Sequence, residues 1–145
     1  MTEFYLDYVW KLVELRPGVA YQFPEPVSSH LSQNLAGPAV YLWKVKSGDR
    51  VVGLYVGEAS DLPRRLKGYL KPGPSQTTNL RMNTLLLGEV DSGYTLELST
   101  LHFEPFQFGG ATFNQRDLAM TSVRRFLERL FESSFRKAGF NVLNA

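Results

Sequence analysis

Cysteine is absent from this chain of 145 residues, and histidine occurs only as His30 and His102. The absence of cysteine excludes disulfides, thiolate-bound zinc and a thiol nucleophile. The scarcity of histidine argues against a histidine-rich metal centre. Any metal ion is therefore expected to bind oxygen ligands, which favours magnesium or manganese over zinc.

Long apolar runs are also missing. No segment approaches the ~20 consecutive apolar residues of a membrane-spanning helix, and the amino-terminal segment has no basic stretch followed by an apolar run. We therefore expect a cytoplasmic protein that does not contact a membrane. Hydrophobic residues make up 43% of the chain and aromatic residues 13%. This composition and length indicate one compact globular unit.

The excess of positive charge is small, because 16 basic residues face 14 acidic ones. A net charge of +2 is weak for a nucleic-acid-binding protein. The distribution is uneven, however. Five basic and no acidic residues lie between Arg64 and Arg81, and six basic against three acidic residues lie between Arg116 and Lys137. Two interpretations stay open: solvated helix faces, or the two walls of a phosphate-binding groove.

Apolar spacing predicts four helices, at residues 3–15, 62–70, 78–87 and from Asn114 or Asp117 to about Lys137. It predicts three strands, at residues 38–45, 51–56 and 94–103, of which the first two form an antiparallel hairpin. Residues 19–37 are interpreted as an irregular arm packed by Tyr21 and Phe23, residues 104–113 as a loop, and residues 140–144 as a short segment that folds back. Thr2 can cap the first helix. The last helix is expected to bury an apolar stripe made of Val123, Leu127, Leu130, Phe131, Ser134, Phe135 and Ala138. The expected fold class is α+β, with a small three-stranded, mostly antiparallel sheet flanked by helices. Residues 1–36 would form an amino-terminal helix and arm, and residues 37–145 the main domain.

An ordered set of motifs runs through the middle of the chain. Ala39-Val40-Tyr41 lies on the first predicted strand and Tyr55-Val56-Gly57 on the second. Arg65 and Tyr69 follow one turn apart on the next helix, and Asn144 comes twelve residues after Glu132. Over roughly residues 37 to 144, this order and spacing resemble the GIY-YIG nuclease family, with Ala39 in place of the family's first glycine.

The resemblance implies layers of helix, sheet and helix, and a metal-dependent endonuclease that hydrolyses DNA phosphodiester bonds. By the same resemblance, the catalytic residues are Tyr41, Tyr55, Arg65, Tyr69 and Glu132. Glu132 would hold one magnesium or manganese ion, and Tyr41 would activate water, with Tyr55 as the alternative base. The resemblance and the local charge suggest three further residues that bind substrate: Arg64, Lys67 and Asn144.

The residue chemistry agrees with this activity. Phosphodiester hydrolysis needs a positioned water, neutralised phosphoryl charge and help for the leaving oxygen. Arg65 offers a permanently charged fork for a phosphate, and one carboxylate can hold a magnesium ion that keeps several waters. We expect Tyr41 and Tyr55 to lie on adjacent strands and to face Arg65 and Glu132. Glu128, one helical turn from Glu132, competes for the metal.

Glu58 departs from the family pattern, because many members have a lysine directly after the glycine that corresponds to Gly57. A carboxylate here would raise the pKa of Tyr41 and oppose its phenolate, whereas Glu58→Lys would favour it; alternatively, Glu58 is an extra ligand in a rebuilt site. The alternative function is a catalytically weak or inactive DNA-binding protein that keeps the fold. A homodimer through the aromatic amino-terminal helix also stays open.

Overall fold

The computed structural model describes residues 4–145. Its strands are β1 (Tyr8–Leu12), β2 (Glu14–Arg16), β3 (Val19–Ala20), β4 (Ala39–Ser47), β5 (Arg50–Ala59), β6 (Thr95–Phe103), β7 (Phe106–Phe108) and β8 (Ala111–Phe113). Its α-helices are α1 (Ser29–Asn34), α2 (Leu62–Leu70), α3 (Thr77–Asp91) and α4 (Thr121–Lys137), and a 3₁₀ helix spans Gln115–Ala119. The α+β class predicted from the sequence is confirmed. Among the described residues, no helix is both long and apolar enough to cross a membrane.

The central sheet has four antiparallel strands in the order β1-β6-β4-β5. The predicted hairpin is confirmed as β4 and β5, in which Tyr41 stands opposite Gly57 and Trp43 opposite Tyr55. Because β4 is covered on both faces, six of its nine residues are buried. The prediction of three strands is wrong, since the amino-terminal segment supplies a fourth.

The predicted helix over residues 3–15 is wrong in the part of the chain that the structure describes. Residues 8–12 form β1, which pairs with β6, and residues 14–16 form β2, which pairs with β3. Alternation explains this outcome, because Tyr8 and Trp10 project to the same side of β1 and both pack against Phe131 of α4. The predicted first residue of the helix and its proposed cap, Thr2, lie outside the described residues.

The sheet separates two apolar clusters. The α2 face carries Tyr41, Trp43 and Tyr69 together with apolar residues of α2 and α3, and here Tyr21 and Phe23 of the arm are buried as predicted. The α4 face carries Val40, Leu42 and Val56, which pack against Val123, Leu127 and Phe131 of α4. Side chains alternate along β4 and β5, so neighbouring residues contribute to different clusters. This separation decides which predicted site residues can meet.

Three details of the carboxyl-terminal half differ from expectation. The predicted loop at 104–113 contains the small hairpin of β7 and β8. Asn114 caps the 3₁₀ helix, not α4. On α4 the predicted buried residues Leu130, Ser134 and Ala138 are exposed, whereas Arg124 is buried.

After α4, the chain turns at Gly139, whose φ of 92° is one that glycine adopts readily. The tail then folds back as predicted, and Val142 forms a parallel bridge with Leu54 of β5. The Leu143 N–H donates to the Leu54 carbonyl at 2.7 Å. The tail therefore covers the outer edge of β5.

Candidate active site

Two buried tyrosines meet on the α2 face. Tyr41 comes from β4 and Tyr69 from α2, each is 1% exposed, and their hydroxyl oxygens are 2.5 Å apart. Gly57 lies directly against the Tyr41 ring, since a Cβ at position 57 would stand 2.3 Å from the Tyr41 Cζ. Any side chain there would collide with the ring, so the close packing of β5 on Tyr41 requires glycine.

Arg65 lies one turn before Tyr69 on α2. Partial burial acts to lower its pKa, but the neighbouring oxygens of Tyr41 and Tyr69 outweigh this and the pKa of Arg65 is raised. The guanidinium therefore stays charged beside the two phenols. With Arg64, Asp61 and Asn79, it lines a cavity of about 240 Å³.

The pKa values of the phenols differ from those of free tyrosine. Burial raises the pKa of Tyr41 well above its usual value, Tyr69 and Tyr55 raise it further, and Arg65 acts in the opposite direction. Burial raises the pKa of Tyr55 to about 12, with Tyr69 and Glu128 adding to the effect and Arg81 and Arg65 opposing it. Tyr55 is the one of these phenols with partial access to solvent.

Glu58 projects to the α4 face and forms an ion pair with Arg124, whose Nε lies 2.7 Å from Glu58 Oε2. Arg124 is 5% exposed and also donates to the carbonyls of Leu118 and Ala119. The pKa of Tyr41 is governed by burial, Tyr69, Tyr55 and Arg65, whereas Glu58 acts on the pKa of Arg65 and Glu128. The charge of Glu58 is thus held by a partner that the sequence analysis did not identify.

The acids of α4 occupy two different environments. Glu132 accepts from Arg136 at 3.2 Å. Glu128 is half-buried, and burial followed by the charges of Glu58 and Glu132 raises its pKa. Glu128 also acts on the pKa of Tyr55.

Tyr41 and Tyr55 both lie close enough to Arg65 for its charge to act on their pKa values, as expected, whereas their expected approach to Glu132 stays a prediction. α2 and α4 pack on opposite faces of the sheet. β5 is an edge strand, and the charges of the two faces meet there, since Glu58 acts on Arg65 and Glu128 on Tyr55.

The Asn144 side chain is occupied by the backbone of Val56. Its Oδ1 accepts from the Val56 N–H at 3.0 Å, and its Nδ2 donates to the Val56 carbonyl at 2.7 Å. The amide therefore mimics a strand partner between Tyr55 and Gly57. Arg64 and Lys67, the other residues expected to bind substrate, are exposed on α2, and Arg64 lines the same cavity as Arg65.

The buried Arg124 is the site residue that sequence reasoning missed. It stands on the same side of α4 as Leu127 and Phe131, so its place on the apolar stripe was visible in the sequence. A buried cation needs a carboxylate partner, but the sequence suggested Glu58 only as a modifier of Tyr41 or as an extra ligand of the site. The two residues are 66 positions apart in the sequence, so no local motif indicated that they pair.

The assembled groups are a fixed cation, two buried phenols and one partly exposed phenol, with the carboxylates of Glu58 and Glu128 near the edge strand β5. Among the described residues, no group of three or more histidine, cysteine, aspartate or glutamate side chains is arranged to hold a metal ion. Comparison of the chain with protein-family models, curated proteins and solved structures found no match.

Proposed function

We propose that this chain is a metal-dependent endonuclease of the GIY-YIG type that hydrolyses DNA phosphodiester bonds. The observation that carries the proposal is the convergence of Tyr41, Tyr55, Tyr69 and Arg65 from β4, β5 and α2. Order and spacing in the sequence point to the same residues, and each of them acts on the pKa of at least one other in the set. If the three tyrosines only packed the core, no arginine would be needed among them.

The surface around Arg65 fits a phosphate. The guanidinium borders the 240 Å³ cavity and an adjoining one of about 400 Å³ that includes Ser75, Thr77 and Thr78 near the start of α3. Arginine forks bind phosphate oxygens in pairs, and hydroxyl and backbone N–H groups add donors. Arg64 lines the smaller cavity with Arg65, and the exposed Lys67 lies one helical turn after Arg64.

A second basic wall lies on α4. Arg125 and Arg129 are exposed, and the Arg136 side chain is 47% exposed while it holds Glu132. The two walls flank the edge of β5, so a polyanion with repeated phosphates can contact both. This arrangement supports the groove interpretation of the uneven charge distribution.

Solvent access favours Tyr55 over Tyr41 as the phenol that contacts the attacking water. Tyr41 is sealed beneath Gly57 and bonded to Tyr69, which suits a role in positioning Arg65. Tyr55 has a pKa of about 12, so only a small fraction is phenolate near neutrality. A cation placed beside it would increase that fraction.

The carboxylates suit a hard divalent cation. Glu58, Glu128 and Glu132 lie close enough for mutual repulsion to raise the pKa of Glu128, in addition to the effect of burial. Glu58 and Glu132 are in ion pairs, whereas Glu128 is in none of those formed among the described residues. Glu128 is therefore our first candidate ligand and Glu132 the second. A bound magnesium or manganese ion would stabilise negative charge on the leaving oxygen.

The test is cleavage of supercoiled plasmid DNA by the purified protein. Nicking with magnesium or manganese, and none with a chelator, is the expected result. Arg65→Ala should lower kcat/KM by about 100-fold or more, whereas Arg50→Ala, an exposed cation at the start of β5, should leave it unchanged. Comparison of Glu128→Gln with Glu132→Gln identifies the metal ligand, because the variant that lacks the ligand should lose metal-stimulated cleavage.

Salt-sensitive DNA binding without metal-stimulated cleavage would favour the alternative function, an inactive DNA-binding protein. Absence of both binding and cleavage, in a sample whose thermal unfolding shows an intact fold, would overturn both functions.

A further inference from the structure

The two edges of the central sheet differ in their protection. The carboxyl-terminal tail covers β5, whereas β1 is the other edge and pairs only with β6 in the part of the chain that the structure describes. β1 nevertheless exposes Tyr8 at 47%, Val9 at 51% and Leu12 at 46%. Soluble proteins usually blunt such an edge with proline, a bulge or several charges, because it offers unpaired backbone groups to another strand.

The hydrogen bonds at both ends of β1 show which backbone groups point outward. The Val13 N–H donates to Leu98 at 2.8 Å, and the Asp7 carbonyl accepts from Glu104 at 2.9 Å. In an antiparallel ladder, alternate residues bond to the same neighbour. Val9 and Lys11 therefore also face β6, and the backbone groups of Tyr8, Trp10 and Leu12 face away from it.

We infer that this edge is a homodimer interface, in which β1 pairs antiparallel with β1 of a second copy about a two-fold axis at Val9. In this register, Tyr8 stands opposite Trp10 of the second copy, and both residues present outward backbone groups, so the ladder can form about four hydrogen bonds. Because the axis is two-fold, every contact occurs twice.

The charges on β1 select this register and this partner. With Val9 opposite Val9, Asp7 stands opposite Lys11 of the second copy, and Lys11 opposite Asp7. These are non-hydrogen-bonded positions, where facing side chains come closest. Neither side chain belongs to an ion pair among the described residues. An axis at Trp10 would instead place Lys11 opposite Val9 and leave the charges unmatched.

The first experiment measures mass in solution by sedimentation equilibrium. The chain of 16.4 kDa should sediment at about twice that mass. Asp7→Lys and Lys11→Asp should each raise the dissociation constant at least tenfold, because each places like charges opposite one another twice. The double variant Asp7→Lys/Lys11→Asp restores opposite charges and should restore the dimer. Asp49→Lys, an exposed change in the turn between β4 and β5, is the matched control and should not alter the mass.

The second experiment tests the register by crosslinking. Because the chain has no cysteine, Val9→Cys provides a single thiol. Facing Cα atoms at such a position are about 4.5 Å apart, within the range of a disulfide, so mild oxidation should give a covalent dimer. Leu12→Cys, equally exposed on β1 but opposite residue 6 of the second copy, should not crosslink.

Amide exchange separates association from loss of fold. The amides of Tyr8 and Trp10 should be protected in the wild type and exposed in Asp7→Lys, while those of Val9 and Lys11 stay protected by β6 in both. A wild type that is monomeric at millimolar concentration, a double variant that stays monomeric, or crosslinking at Leu12→Cys without Val9→Cys would overturn the proposal.

Discussion

At the scale of single residues, the contrast between Tyr41 and Tyr55 makes the first prediction. Since Tyr55 has a pKa of about 12, log kcat at saturating metal should rise with pH through the neutral range with a slope near one. Tyr55→Phe should lower kcat by about 100-fold or more and abolish the slope. Tyr41→Phe should lower kcat but keep the slope. If Tyr41→Phe alone abolishes the slope, Tyr41 is the base, as the family resemblance implies.

The ion pair of Glu58 and Arg124 leads to the second prediction, which concerns stability. Glu58→Ala leaves the Arg124 guanidinium buried without its carboxylate, so we expect a loss of about 3 kcal/mol in the free energy of unfolding. Urea denaturation measures it. The double variant Glu58→Ala/Arg124→Met should be more stable than Glu58→Ala, because it removes the unpaired cation; an equal or lower stability would contradict the argument.

The same pair changes what we expect of Glu58→Lys. The sequence suggests that this variant eases ionisation of Tyr41 and shifts the pH–rate profile to lower pH. In the structure, it would place a second cation beside Arg124. Loss of stability is therefore expected to hide any gain in rate. Sequence spacing could identify Tyr41, Gly57 and Arg65 as a set, but it could not reveal a pair formed across 66 residues.

At the scale of elements, the parts that were predictable are those with one dominant pattern. The hairpin of β4 and β5 and the stripe of α4 have one apolar period, and Pro63 in the first turn of α2 marks its start. β1 was ambiguous, because Leu6, Val9 and Leu12 fit a helix while Tyr8 and Trp10 fit an alternating strand. The contacts of Tyr8 and Trp10 with Phe131 favour the strand over the helix. The local sequence pattern contains no information on these contacts.

The tail makes the third prediction. Asn144→Ala removes both side-chain hydrogen bonds to the Val56 backbone and should cost about 1–2 kcal/mol of stability. Amide exchange at Val56 should become faster, and cleavage should weaken because Tyr55 and Gly57 flank that residue. Asn144→Asp keeps an acceptor but loses the donor, so exchange should be intermediate. A variant Asn144→Ala with a raised KM and unchanged exchange at Val56 would instead indicate direct substrate binding.

At the scale of the whole molecule, buried phenols predict a sensitivity to alkali. Burial, as the largest cause, raises the pKa of Tyr21, Tyr41 and Tyr55 in the fold above the usual value of 10.0. A raised pKa contributes stability that is fully present below pH 10 and is lost as pH rises through the folded value. For Tyr55, that window runs from pH 10 to about 12, at about 1.4 kcal/mol per pH unit.

Thermal unfolding followed with tyrosinate absorbance measures this effect. The melting temperature should be level just below pH 10 and fall above it, and the buried phenols should ionise together with unfolding. In Tyr55→Phe, the melting temperature should fall less steeply between pH 10 and about 12. Gradual ionisation of every tyrosine near pH 10 without unfolding would contradict the prediction.

The pairing of both ends of the described chain with distant strands has a consequence for the order of folding. Asn144 bonds to a residue 88 positions away, and Tyr8 pairs with Phe103, whereas β4 and β5 are joined by a short turn. Because closing long loops costs more chain entropy, the local hairpin should assemble before either end docks. Contacts made after the rate-limiting step affect unfolding more than refolding. Asn144→Ala should therefore shorten the lifetime of the native state while the refolding rate stays nearly constant.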